Sequence, residues 1–164
     1  YINMIRLKTS VLLGGALELG SIIANATPEN RKFIYDFGVN LGIAFQLQDD
    51  ILDAFGDPKT FGKQVGGDII VNKKTILHIL LKKALLGADI TYFDDVLSLE
   101  EAKSTEKVEA MLALYNKYDI LTLSNTLKIN YTNLAYANLE QIEVLEANKM
   151  HLYALADKLM HRSR

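Results

Sequence analysis

The stretch from Ala26 to Pro58 constrains this chain more than any other. It reads ATPENRKFIYDFGVNLGIAFQLQDDILDAFGDP, with no proline between Pro28 and Pro58. Thr27 as N-cap, Pro28 at the first helical position and Glu29 in the first turn form the signature of a helix start. Gly56, Asp57 and Pro58 form a stop. The pattern predicts a single helix over residues 28–55.

On a helix at roughly 100° per residue, Gln46, Asp49, Asp50 and Asp53 fall within an arc of about 100°, with Gly42 in the same arc one turn earlier. Phe45, Leu47, Ile51 and Leu52 occupy much of the rest. A helix apolar on most sides is buried, so its carboxylates must be protonated, paired or metal-bound. The plainer reading is a solvated acidic face, but two features oppose it. Carboxylates in the last two turns meet the negative end of the helix dipole, at a cost of about 0.3–1 kcal/mol each. The stripe also carries none of the lysines that decorate a solvated face. A divalent cation would offset both problems. Oxygen-only ligands favour Mg2+ or Mn2+ over zinc, and Mg2+ commonly combines one or two carboxylates with substrate phosphates.

The rest of the chain supports an all-α fold. With 164 residues it has the length of one domain or part of a larger one, and 49% hydrophobic content is enough for a sizeable core. Two prolines and ten glycines leave long stretches without helix breakers. Residues 2–25 carry apolar groups at helical spacing, with Gly14, Gly15 and Gly20 expected to permit close helix contacts. A glycine-punctuated loop follows Phe55. A third helix is expected over residues 73–86, and residues 87–99 read as a turn-rich connection. Ser98, three residues before Glu101, reads as a capping box for an amphipathic helix, and residues 119–162 as two helices with a break near 146–148. No domain boundary is visible.

A net charge of −2 without a basic stripe argues against nucleic-acid binding. No uncharged apolar run is long enough to span a bilayer, so stable membrane insertion is not expected. The absence of cysteine fits a reducing, cytoplasmic setting.

Phosphate ligands are the natural complement to the acidic stripe. Lys63 lies in FGKQVGGD directly after it. Lys73 and Lys74 are expected to open the next helix, whose first amides could face an anion. Lys8 and Thr9 sit in the apolar run MIRLKTSVLL, a costly place for a lysine whose ammonium has no partner. Each lysine alone reads as a snorkelling surface side chain. Together with the stripe, they suggest a metal–diphosphate site.

Four pieces, IRLKTSVLL, GIAFQLQDDILDAFGD, FGKQVGGDI and NKKT, resemble the trans-prenyltransferases, or polyprenyl diphosphate synthases, in order and spacing. The acidic piece resembles that family's second aspartate-rich motif, DDxxD, preceded by Phe45 and Gln46. The resemblance is sharp over residues 1–80. It implies an all-α isoprenoid-synthase barrel, an allylic diphosphate and isopentenyl diphosphate as substrates, Mg2+ as cofactor and a homodimer. By motif, Asp49 and Asp53 would hold magnesium with Asp50 in support. Lys8, Lys63 and Lys73 would bind the allylic diphosphate, with Lys73 preferred over Lys74 because it follows Asp68 by five residues. Thr9 and Gln46 would place polar atoms near the allylic cation, and Phe45 would line the pocket. His78, His151 and His161 match no motif position.

The same resemblance implies a first DDxxD motif, arginines and a basic pocket for isopentenyl diphosphate, none of which is in these residues. Because the chain also opens mid-pattern, residues 1–164 are expected to be a single partial domain, the C-terminal half of such an enzyme, inactive alone. Two rivals remain. A class I terpene cyclase usually carries an Asn/Ser/Glu-type motif in place of the second DDxxD, and a non-catalytic regulatory subunit would tolerate loss of the aspartates and lysines.

Overall fold

The structure, a computed structural model, describes residues 1–57 and 65–160, with Glu101 described in its backbone only. Among these residues there are helices and no strand, so the fold is all-α. The helices are α1 (Ile2–Ile5), α2 (Val11–Ile23), α3 (Pro28–Phe55), α4 (Gly67–Ile70), α5 (Ile76–Ala84), α6 (Ala88–Leu97), α7 (Ser104–Lys117), α8 (Ile120–Glu140) and α9 (Glu146–Met160). Arg6–Ser10 is a π-helical segment between α1 and α2.

The long helix starts where the sequence predicts. Thr27 Oγ1 accepts from the Asn30 amide at 3.2 Å, and α3 runs uninterrupted to Phe55. Elsewhere the elements differ in instructive ways. The third predicted helix begins three residues late, because Thr75 in extended backbone is its N-cap and accepts from the His78 amide. Residues 88–97 are a helix rather than a turn-rich connection. Ser98 ends α6 rather than starting the next helix, its hydroxyl donating to Asp95 O at 2.7 Å, and α7 starts at Ser104 after a single 3-10 turn. The final break falls at residues 141–145 rather than 146–148.

The chain forms two compact units. One comprises residues 1–48, α8 from Leu127 onward, and α9. Here Gly14 and Gly38 let α2 and α3 cross at backbone distance: a Cβ on Gly38 would lie 2.8 Å from Gly14 Cα. Gly15 and Gly20 face open space, so only one of the three predicted contact glycines makes a close contact. Gly42, read from sequence as a bare position above the aspartates, is covered by Ser10, whose Cα would be 2.8 Å from an added Cβ. Ile34, Phe37, Leu41, Ala135, Leu139, Ile142 and Ala156 build this unit's core.

The other unit is residues 49–126. Helix α7 packs against α4, α5 and α6 there. Leu77, Leu81, Phe93, Val96, Met111 and Leu114 are buried among these helices. No helix among the described residues is long and apolar enough to cross a membrane.

Candidate functional site

Three of the predicted site residues meet within the second unit. Asp50, Asp53 and Lys73 line one small cavity together with Asp68, Thr75, His78 and Tyr115. It offers about 10 Å³ of water-accessible room, the scale of one water molecule.

The acidic stripe is held by the helices that follow it. Asp53 Oδ2 accepts from the Asp68 amide at 2.9 Å, at the start of α4. Asp50, only 5% exposed, accepts from the Ile76 amide at 3.1 Å, at the start of α5. Each carboxylate therefore sits at the positive end of a following helix, which stabilises its charge. On sequence alone, the first amides of that next helix could face an anion from outside the chain. The anion the structure places there is Asp50, reaching across from α3. Asp49, four residues before Asp53 and so on the same helix face, is half-buried.

Lys73 lies in the turn before α5 rather than on it. Its ammonium donates to Asp68 Oδ2 at 2.6 Å, and its amide to Asp68 O at 2.9 Å. Partial burial works against its charge, but the bond to Asp68 and the charges of Asp68, Asp50 and Asp53 outweigh that and hold its pKa above the ordinary lysine value. Tyr115, 3% exposed, shares a hydrogen bond with the Thr75 side chain. Burial pushes its hydroxyl pKa up, and the neighbouring aspartates push the same way. It serves as a neutral donor or acceptor.

The remaining predicted residues belong to the first unit, apart from Lys63, which lies outside the described residues. Lys8 is exposed rather than embedded in the apolar run, and Thr9 is half-buried. Both lie in the π-helical segment, where the Val11 amide reaches back five residues to Arg6 O. Such π-turns inside helices often mark functional positions. Phe45 and Gln46 are half-buried on α3.

The structure adds four residues that the motifs did not. Thr75 was legible, since a threonine directly before an apolar run is an N-cap signal. Tyr115 and Lys107, whose ammonium donates to Ile70 O at 3.2 Å, were not, because their roles depend on which helices α7 packs against. A fourth, Lys128, donates to Gln48 Oε1 at 2.7 Å, one residue before Asp49, and burial lowers its pKa.

Among the described residues no three carboxylate, imidazole or thiol groups converge closely enough to hold a metal ion alone. The donor set nonetheless suits Mg2+ bound in the common way, by one or two carboxylates with phosphate oxygens completing the shell. Gly67 lets the backbone approach Asp53 closely: a Cβ there would lie 3.3 Å from Asp53 Oδ1.

The polyprenyl synthetase family profile matches residues 1–115, and the chain belongs to that family. The geranylgeranyl diphosphate synthase of Saccharolobus solfataricus is 37% identical over 144 residues, covering 88% of this chain and 43% of the relative. The geranylfarnesyl diphosphate synthase of Aeropyrum pernix is 48% identical over 85 residues, covering 51% of this chain and 27% of its own. Among solved structures, a geranylgeranyl pyrophosphate synthase matches 99% of this chain at 40% identity with a TM-score of 0.89, over 50% of its own length. The chain thus spans half or less of the length of each of these three relatives.

Proposed function

We propose that the protein carrying this chain is an isoprenyl diphosphate synthase, which joins an allylic diphosphate to isopentenyl diphosphate. The observation that carries this reading is the cluster of Asp50, Asp53, Asp68 and Lys73 around one cavity, beside Asp49 on the same helix. In this reading Asp49 and Asp53 hold Mg2+, and Asp50 secures the start of α5 behind them. Bound Mg2+ would stabilise the charge that develops on the departing diphosphate. Lys73, kept charged by its three acidic neighbours, donates to a phosphate oxygen. By motif, Lys8 and Lys63 bind the same diphosphate, Thr9 and Gln46 present polar atoms to the allylic group, and Phe45 lines its pocket.

Membership in the polyprenyl synthetase family, with relatives named as prenyl diphosphate synthases, favours this reading over a terpene cyclase or a non-catalytic subunit. Residues 1–164 are then one part of the catalytic domain, with the facing aspartate-rich motif supplied from outside these residues. The reading includes a cytoplasmic, homodimeric enzyme, on family membership alone. Incubating the full-length protein with geranyl diphosphate, labelled isopentenyl diphosphate and Mg2+ tests it. Extractable prenyl product that disappears with a chelator is expected; no product with any allylic diphosphate would overturn it.

A further inference from the structure

Helix α4 is the element that brings Asp68 to Asp53, yet it has four residues. A single turn has no stability of its own in water, so something outside it must fix it. Its N-terminal end is fixed by the Asp53 carboxylate. Its C-terminal end is fixed by a residue that no motif includes. Lys107, on α7 and 3% exposed, donates to Ile70 O at 3.2 Å, Leu97 O at 3.3 Å and Leu99 O at 3.4 Å.

An ammonium has three donors, and these carbonyls match them one for one. Ile70 and Leu97 are the last residues of α4 and α6, so the buried cation faces the negative ends of two helices. Helix α4 is thus held between an anion at its N-terminus and a cation at its C-terminus. The next residue on α7, Val108, presses on the same segment: a Cβ on Gly66 would lie 2.8 Å from its methyl groups.

We propose that Lys107 is a positioning residue for the metal–diphosphate site. By holding the C-terminal end of α4 it sets where Asp68 stands, and through Asp68 the orientation of the Asp53 carboxylate and the Lys73 ammonium. The proposal rests on reading Asp49, Asp53 and Lys73 as that site. Its effect is on how readily the site accepts Mg2+ and diphosphate, separate from its effect on folding.

The test is Lys107→Met in the full-length protein, titrated with Mg2+ at fixed inorganic diphosphate by calorimetry and, in parallel, by product formation. All measurements are made well below the variant's melting temperature. The Mg2+ concentration for half-saturation should rise about tenfold or more, the scale at which outer residues tune metal sites. kcat should be largely restored at saturating Mg2+, and Lys107→Arg should recover most of the loss. A folded Lys107→Met with wild-type Mg2+ dependence would overturn the proposal. If Lys107→Met does not fold, Lys107→Gln is read the same way. If neither folds, Lys107 serves stability alone and the proposal fails. Asp49→Ala, run alongside, separates the two ideas: wild-type Mg2+ dependence there would overturn the site reading itself, whatever Lys107 does.

Discussion

Asp53 Oδ2 accepts a hydrogen bond from the Asp68 amide at 2.9 Å, and the Gly66 amide donates to Asp53 O at 2.6 Å. The segment from Gly66 to Asp68 therefore returns to the same residue twice, once through its carboxylate and once through its backbone. That return places Asp68, and with it Lys73, beside the acidic stripe of α3.

The buried carboxylate of Asp50 should behave as a structural anchor as much as an electrostatic one. Asp50→Ala leaves the Ile76 amide without its partner and should lower stability by about 2 kcal/mol. Asp50→Asn keeps an acceptor in place and should lose less. Urea denaturation of the full-length variants checks both, and equal losses would contradict the role of the bond to Ile76.

Two glycines on the first unit's helices should respond with opposite sign. Gly42→Ala forces a methyl group to 2.8 Å from Ser10 Cα and should cost about 1–3 kcal/mol. Gly15→Ala adds a methyl group in open space within α2 and should gain up to about 1 kcal/mol from helix propensity. Thermal unfolding reads both, and a tolerated Gly42→Ala would refute the close approach of Ser10.

His78 should make stability fall in mild acid. Burial lowers its pKa below the ordinary histidine value of 6.5, and the charges of Lys82 and Lys74 push the same way. The unfolded chain then binds the proton more readily, so stability is fully present above 6.5 and is lost as pH falls through the folded-state value. His78→Phe, which keeps a ring against Phe93, should gain on wild type as pH drops from about 7.5 to about 5. A melting-temperature difference constant over that range would contradict this.

Much of this was legible from residue pattern because local chemistry decided it. Thr27, Pro28 and Gly56 set the ends of α3 by capping and by breaking, and the wheel put Asp49, Asp50 and Asp53 on one stripe. What failed required knowledge of partners. Nothing in the sequence says that Ser10 covers Gly42, that Asp50 rather than an external anion meets the start of α5, or that Lys107 finds three carbonyls. The Ser98–Glu101 pattern was a sound local signal, but Ser98 turned back to close α6 instead. The candidate site residues were easier to name than their supports, because metal and phosphate chemistry demands particular side chains while positioning demands only packing.

With Asp49 and Asp53 holding the metal against a diphosphate, Asp49→Ala in the full-length protein should lose both turnover and metal binding. Steady-state prenyl transfer at saturating substrates should fall by about three orders of magnitude, corresponding to about 4 kcal/mol of lost charge stabilisation. Diphosphate-dependent Mg2+ binding by calorimetry should weaken with it. Wild-type turnover and wild-type Mg2+ binding in a folded Asp49→Ala protein would contradict the account.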